Sequence, residues 1–539
     1  MQHDPGDSRL NHYFLEHSFQ VLTNRDYVGE LFSPAFFYPY KNVLAFSDNL
    51  FGSAPIYFIL RAFFSPDLSY QLWMILACVL CFVSFAILMR HYQVKHVPTV
   101  IGAFLFAFGI PRIAQIAHQQ LLPQFFTPLA FLFAWDFLKN PRNKSFAWSL
   151  LLVYLQVLAG IYLGWFLIFT LIIFSAIVYI LDSDKRQRLI KYIKYNNKPV
   201  ILIVATWLLF MLALLAPYLQ IQKIVGGRDY TEIDTMLPRL SSWFLPASNS
   251  LWWTVFSENS KNISAPGEHQ LFSGFLIIFL TVLSIYTLKY RKNIILDSER
   301  SLLIKSCLFV ALTIFSVTLR LPNGWSLWAI IYKVLPGASV IRAVTRICLI
   351  FYFFLLVAVT LCLDSWQSKV LNRRLCAITI SLLSFGCVLE QIIISPPSFA
   401  IAPLKEEVAQ IRKLMKKDCD VAYVTLKTEK LFIESQVSAM WAGLKANVPV
   451  INGYSGNVPP DYGDMSYSMD TAKVIKWLGE DTKGRLCIIS QQLLKDKDKL
   501  IYMYSNKENT SPSGNWTSYQ INLPISKNFV YGIQEIKGD

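Results

Sequence analysis

The chain has 539 residues, of which 54% are hydrophobic and 15% aromatic, and its formal net charge is +15. This composition excludes an ordinary soluble globular domain and is typical of a protein that crosses a membrane many times. The positive excess does not indicate nucleic-acid binding, because much of it lies in short loops at helix ends, where lysine and arginine anchor membrane helices.

The chain begins with a polar outer segment that contains two candidate functional carboxylates, Asp7 and Asp48. A carboxylate near a sugar acceptor can take the proton of its hydroxyl, or bind a metal ion that holds a phosphate. A simpler alternative for Asp7 is a helix N-cap ahead of residues 10–15, and for Asp48 a turn or cap. No cofactor follows from these residues, and a divalent cation is one open alternative.

The apolar segment 51–64 follows, and it contains Pro55 and Arg61. Because it is short and broken by these two residues, we predict an interfacial or re-entrant helix rather than a membrane span.

Ten apolar segments then follow in the region 70–395, and a membrane helix needs about 20 apolar residues. The predicted spans are 70–89, 97–111, 121–138, 145–160, 162–181, 199–217, 271–288, 303–319, 346–364 and 375–395. The sequence therefore predicts a polytopic α-helical membrane protein.

The loops between these spans alternate between strongly basic and nearly neutral. The basic loops are 90–96, 139–144, 185–198, 289–305 and 369–374. Because lysine and arginine tend to remain on the cytoplasmic side, this pattern places the five basic loops inside the cell. It places residues 1–68, the long loop 222–270 and the C-terminal tail outside.

An outer location for the N-terminus needs an explanation, because the sequence opens with the polar stretch 1–11, in which no signal peptide is recognisable. The two alternatives are an earlier helix that this sequence lacks and unaided crossing of the membrane. We favour the first.

The outer loops contain five further candidate residues. His118 lies at the outer mouth of a predicted helix, where it could bind substrate or a metal, or be a plain interface residue. Arg239 and Glu268 lie in the long loop and are either substrate contacts or solvated charges. Arg342 and Arg346 are four residues apart, which predicts one shared helical face. Such arginines bind phosphate, or they extend toward lipid headgroups.

The tail, 396–539, has short β-rich runs around a helical stretch at 471–478, which predicts a small extracytoplasmic α/β domain. Within it, Gly453 and Gly456 predict a turn that uses positive φ. Cys419 and Cys487 both belong to the tail; they could form a disulfide in an oxidising compartment, and the sequence leaves this open.

Several of these features together resemble the GT-C superfamily of polytopic glycosyltransferases, and more closely the YfhO-like group of bacterial multi-spanning proteins. The resemblance rests on residues 6–7, 47–52, 118–119, 267–272, 335–346 and 452–460. The apolar pattern and the composition divide the chain into three regions: an outer N-terminal loop with an interfacial helix (1–69), a transmembrane domain (70–395) and the tail domain (396–539).

The resemblance also implies a function. It assigns the catalytic aspartate of the first outer loop to Asp7, with a sugar donor on polyprenyl phosphate at the outer face of a bacterial inner membrane. The expected partners are that lipid-linked donor and membrane lipids. The resemblance further implies a helix before the first outer loop, which this sequence lacks. Asp7 is then expected across a cavity from Arg342 or Arg346. Two alternatives stay open: a transporter or flippase of a lipid-linked glycan, and a non-catalytic protein that binds envelope glycan.

Overall fold

A computed structural model describes residues 4–256, 263–291, 295–369, 373–394, 398–415, 419–425, 432–463, 471–479, 481–491, 505–510 and 516–524. The chain forms two compact units. The first comprises Met1–Asn49, Leu215–Gly226 and Pro397–Asp539, and the second comprises Leu50–Leu214 and Gly227–Pro396.

Each predicted span overlaps a helix. The helices before the long loop are α1 (Asp7–Thr23), α2 (Ala54–Arg61), α3 (Pro66–His91), α4 (His96–Phe108), α5 (Ile110–Ala114), α6 (Phe126–Lys139), α7 (Asn143–Ala159), α8 (Ile161–Leu181), α9 (Ser183–Tyr195) and α10 (Asn197–Val225). Those from the long loop to the tail are α11 (Tyr230–Thr235), α12 (Phe275–Tyr286), α13 (Ser298–Thr318), α14 (Trp328–Val334), α15 (Cys348–Lys369) and α16 (Arg373–Glu390).

Seven helical stretches of the described chain are long and apolar enough to cross a membrane. They are Pro66–His91, His96–Ala114, Gln119–Lys139, Ile161–Leu181, Asn197–Val225, Ser298–Thr318 and Val344–Gln367. The helix Ile378–Glu390 is shorter but also apolar. These stretches confirm the prediction of a polytopic α-helical membrane protein.

The stretch Val344–Gln367 is the central helix of the second unit. Its apolar window is 94% buried, whereas that of Asn197–Val225 is only 11% buried. Because α15 is hydrophobic on every face, burial on all sides is the arrangement that its sequence favours. The helix α2 has eight residues and a length of about 12 Å, which is too short to cross a hydrocarbon core of about 30 Å.

The buried carboxylates of α15 and α16 bind groups at helix ends. Asp364 accepts a hydrogen bond from the backbone N–H of Lys95 at 2.8 Å and pairs with Arg300 at 2.5 Å. Glu390 accepts hydrogen bonds from the first two N–H groups of α12, at 2.6 and 3.1 Å. Gly274 precedes α12 with φ of 102°, and a Cβ there would overlap with the carboxylate of Glu390. Both carboxylates therefore accept hydrogen bonds from backbone N–H groups that have no partner within their own helix, and Asp364 also neutralises Arg300.

The described tail contains three helices and a four-stranded sheet, which confirms the predicted α/β character of this region. The helices are α17 (Ala402–Met415), α18 (Phe432–Ala446) and α19 (Thr471–Leu478), and the strands are β1 (Val421–Val424), β2 (Gly484–Ser490), β3 (Ser505–Thr510) and β4 (Thr517–Leu523). The strand order is β1-β2-β4-β3. β1 pairs with β2 in parallel, so that Val421 is opposite Leu486, and the other pairs are antiparallel.

A disulfide joins Cys419 to Cys487, with their Cα atoms 5.5 Å apart. The sequence left this pairing open, and the structure resolves it. Cys487 lies on β2, and Cys419 lies two residues before β1, so the bond ties together the two parallel strands of the sheet.

The glycine turn of the tail corrects one prediction. Neither Gly453 nor Gly456 has a positive φ. Instead, a Cβ at Gly453 would overlap with the ring of Phe37, and one at Gly456 would lie 3.0 Å from the carbonyl oxygen of Phe46. The expectation of positive φ was wrong, because these glycines provide room for close packing rather than an unusual backbone conformation.

Candidate functional site

Two 3-10 turns of the second unit bring Glu268 and Arg346 together. The turn Pro266–His269 carries Glu268, and the turn Val344–Ile347, directly before α15, carries Arg346. Nη2 of Arg346 lies 2.6 Å from Oε1 of Glu268, and Nε lies 3.2 Å from Oε2. Both residues are buried. The contact is therefore a bidentate ion pair shielded from water.

His118 is the third member of this cluster. Its Nε2 lies 3.1 Å from Oε1 of Glu268, and Nε2 of the nearby Gln115 donates to the carbonyl of Gly267 at 3.3 Å. Burial alone would raise the pKa of Glu268. The Arg346 guanidinium and the His118 contact outweigh this effect and hold the pKa well below its usual range. Glu268 is thus an ionised carboxylate in a buried position.

Tyr162, in the first turn of α8, positions both arginines. Its hydroxyl accepts a hydrogen bond from the backbone N–H of Arg342 at 3.0 Å. The guanidinium carbon of Arg346 lies 5.4 Å from the centre of the same ring. In the same helix, Nε1 of Trp165 donates to the carbonyl of Pro336 at 3.0 Å, which fixes the segment that leads to Arg342.

Arg342 differs from Arg346 in exposure and pairing. The two arginines do not share a helical face, because Ala343 between them has φ of −91° and ψ of 83° and the helical turn begins only after it. The side chain of Arg342 is 37% exposed, and its contact with Glu232 is long, at 3.7 Å. Glu232 already binds Arg228 at 2.9 Å. The prediction of one shared face was wrong, and the two arginines have different surroundings.

The backbone of Arg239 is linked by hydrogen bonds to His269, the residue next to Glu268. The backbone N–H of Arg239 donates to Oγ of Ser242 at 2.9 Å, and this hydroxyl lies 2.8 Å from Nδ1 of His269. Nε2 of His269 contacts the carbonyl of Thr235 at 3.0 Å. Because a carbonyl only accepts, Nε2 carries the proton in the neutral ring, and Ser242 donates to Nδ1. Burial lowers the pKa of His269, which favours this neutral form.

Asp7 occupies the first position of α1 in the first unit. The helix start is capped by Asp4, whose Oδ1 accepts the backbone N–H groups of Gly6 and Asp7 at 2.8 and 2.5 Å. The carboxylate of Asp7 instead accepts a hydrogen bond from the hydroxyl of Tyr454 at 2.8 Å. The N-cap alternative for Asp7 is therefore replaced by a contact with the tail.

Asp48 is buried in the first unit, next to a small hydrogen-bonded group. Nδ2 of Asn49 donates to the hydroxyl of Tyr218 at 3.1 Å, and that hydroxyl donates to the carbonyl of Ser47 at 3.2 Å. Among the residues that the structure describes, no group of three or more histidine, cysteine, aspartate or glutamate side chains is arranged to hold a metal ion.

The structure thus brings His118, Glu268 and Arg346 into direct contact. The sequence did not identify Tyr162 and His269 as part of this region. The only signal for His269 was its position next to Glu268, and Tyr162 is one aromatic residue among many in an apolar run.

A protein family described as a domain of unknown function, DUF6311, matches residues 29–389. No curated protein matches the chain in sequence. Among solved structures, the crystal structure of ArnT from Cupriavidus metallidurans in the apo state is similar over 96% of this chain and 94% of that one, with 9% sequence identity and a TM-score of 0.39. The range matched by the family contains the whole His118, Glu268 and Arg346 cluster.

Proposed function

We propose that this chain, which belongs to the DUF6311 family, is a membrane glycosyltransferase that moves a sugar from a polyprenyl-phosphate donor to an extracytoplasmic acceptor. The observation that carries the proposal is the contrast between Arg342 and Arg346. One arginine is neutralised in a buried pair, and the other is half-exposed, its carboxylate contact in the described chain being a long one of 3.7 Å to Glu232. A half-exposed arginine of this kind suits an anionic ligand.

The proposed role of Arg342 is to stabilise the leaving group. When the acceptor oxygen attacks the anomeric carbon, the bond from that carbon to the phosphate oxygen breaks, and the phosphate keeps the electron pair. A guanidinium beside this oxygen stabilises the developing charge. The neighbouring pair of Glu268 and Arg346 has no net charge, so we assign it a positioning role through Tyr162.

The proposed role of Asp7 is to take the proton of the acceptor hydroxyl. The assignment comes from the resemblance to polytopic glycosyltransferases. Two contacts support it, because Asp4 caps the helix and the Tyr454 hydroxyl orients the carboxylate. General-base assistance of this kind typically contributes about 10²–10⁴ in rate. His118, Arg239 and Asp48 remain proposed substrate-side residues without an assigned step.

The positions of the buried carboxylates favour a transferase over a transporter or flippase. Transporters place polar groups near the middle of the membrane, on interrupted helices. Asp364 and Glu390 instead bind backbone N–H groups at the ends of neighbouring helices, and Asp364 also pairs with Arg300.

The test is release of polyprenyl phosphate from a panel of short-chain polyprenyl-phosphate sugars, by the full chain in phospholipid vesicles supplied with a panel of hydroxyl-bearing acceptors. We expect Arg342→Gln to lower turnover about 10²–10³-fold, as for the loss of one transition-state donor. Asp7→Asn should lower it about 10²–10⁴-fold. Lys333→Gln removes an exposed cation from the last turn of α14 and is the matched control, with turnover near that of the wild type.

Two results would contradict the proposal. The first is unchanged turnover in Arg342→Gln. The second is movement of intact donor across the vesicle membrane without sugar release, which would support the flippase. Saturable glycan binding that Asp7→Asn leaves intact, again without release, would support the non-catalytic alternative.

A further inference from the structure

The second unit contains an apolar groove of about 720 Å³ between α12, α13 and α15. Its walls include Ile278, Val282 and Ile285 of α12 and Leu308, Leu312 and Phe315 of α13. These positions recur every three or four residues, so each helix contributes a single face. The volume lies within the range of about 300–1,000 Å³ that is usual for ligand pockets.

The groove is long along the helix axis. On α13 its lining extends from Ser301 to Phe315, which corresponds to about 21 Å at 1.5 Å per residue. A hydrocarbon core is about 30 Å thick, so the groove covers more than the depth of one leaflet. An extended hydrocarbon chain matches this shape better than a compact ligand does.

The two ends of the groove differ in charge. One end is lined by Trp243, whose ring centre lies 5.4 Å from that of Phe315 and 4.5 Å from that of Phe351. The other end is lined by Lys289 and Lys305. Both lysines are exposed, and within the described part of the chain neither has a carboxylate within 4.0 Å. These two ammonium groups are the charged groups of the lining.

We propose that this groove binds an anionic phospholipid, with one acyl chain between α12 and α13 and the headgroup phosphate between Lys289 and Lys305. Two ammonium groups complement a phosphate, and the apolar walls complement the chain. The lysines belong to the segment 289–305, which the charge pattern places inside, so the lipid would come from the cytoplasmic leaflet. This inference does not depend on the proposed transferase activity.

The charge distribution argues against the tail of a polyprenyl-phosphate donor that enters from the opposite end. Its phosphate would then lie near Leu240, Trp243 and Leu271, which are all uncharged. An anionic headgroup is favoured at the lysine end instead.

Native mass spectrometry of the full chain tests the proposal, with phosphatidylglycerol and phosphatidylcholine of identical acyl chains as probes. We expect the wild type to retain phosphatidylglycerol more strongly. Lys289→Gln with Lys305→Gln should weaken its retention about 30-fold and bring it close to that of phosphatidylcholine, because each lysine near an anionic headgroup contributes a factor of about five. The matched control is Lys191→Gln with Lys194→Gln, two exposed lysines of α9 outside the groove.

A second variant tests the position of the acyl chain. Val282→Trp places a large ring in the groove at a position that is 58% exposed, and we expect it to weaken retention of both lipids. Ile172→Trp, at a similarly exposed position of α8, should not. Equal retention of phosphatidylglycerol by the lysine variant and the wild type would overturn the proposal. Binding of a short polyprenyl phosphate that is blocked by Val282→Trp but unaffected by the lysine variant would overturn it in favour of the donor tail.

Discussion

Arg346 binds both carboxylate oxygens of Glu268, and the two residues are 78 positions apart in the chain. The pair joins the turn before α12 to the turn before α15. A buried ion pair of this kind is weak evidence for stability by itself, because both charges lose their hydration. Its loss on one side only, however, leaves a buried charge without compensation.

We expect Glu268→Gln to destabilise the protein by about 3–5 kcal/mol, since it removes the buried carboxylate that neutralises Arg346. The double variant Glu268→Leu with Arg346→Met removes both charges and should recover much of this loss. Thermal unfolding in detergent measures both effects. The exposed pair of Lys41 and Glu30 is the control, and Glu30→Gln should leave the Tm unchanged. A double variant that is less stable than the single one would contradict this account.

His17 should make the first unit less stable as the pH falls below 6.5. Its ring is fully buried, and burial lowers its pKa to about 4. The unfolded chain therefore takes up a proton between pH 6.5 and 4 that the folded chain does not. The protein keeps its full free energy of unfolding well above pH 6.5, where His17 is neutral in both states. By pH 5.5 it has lost about 1.4 kcal/mol of this free energy. Thermal unfolding from pH 7.5 to 5.5 should show a shallower slope for His17→Phe. Identical slopes for the two proteins would exclude this role.

Gly453 is predicted to be intolerant of a methyl group. A Cβ at this position would overlap with the ring of Phe37, which is fully buried. We expect Gly453→Ala to cost about 1–3 kcal/mol, as overpacking usually does. Gly463→Ala is the matched control, because a methyl group at that position would have no described atom within 4 Å and its φ is not positive. Equal stability of the two variants would show that the close contact between Gly453 and Phe37 does not exclude a methyl group.

The disulfide of the tail should contribute about 4 kcal/mol, because it closes a loop of 68 residues. Cys419→Ser with Cys487→Ser should lower the free energy of unfolding by this amount, which thermal unfolding would show as a lower Tm. Alkylation after denaturation with reductant should modify all nine cysteines, and alkylation without reductant should leave Cys419 and Cys487 unmodified. Modification of all nine without reductant would show that the bond does not form in the cell.

The predicted topology is tested by labelling with a membrane-impermeant maleimide. Val458→Cys in the tail should react on intact cells, and Lys191→Cys on α9 should react only after the cells are permeabilised. Both positions are exposed, so access to each depends on the side of the membrane. Reaction of Lys191→Cys on intact cells, with Val458→Cys protected, would invert the topology.

The sequence predicted the helices well because each apolar run is a local signal that packing does not reverse. It also placed His118, Glu268 and Arg346 among the candidates, on charge and position alone. Their mutual contact was beyond sequence reasoning, because it depends on how turns 78 and more positions apart fold together. The shared helical face of Arg342 and Arg346 failed for a local reason, since the chain is not yet helical at Ala343.

The single ring of Tyr162 has a consequence for how the two arginines respond to a ligand. Its hydroxyl binds the backbone of Arg342, and its face lies beside the guanidinium of Arg346. Any displacement of Arg342 by an anion therefore acts on the same ring that borders the buried pair. We therefore expect that binding of an anion to Arg342 shifts the Tyr162 ring, and that this shift changes the contact between the ring and the buried guanidinium of Arg346.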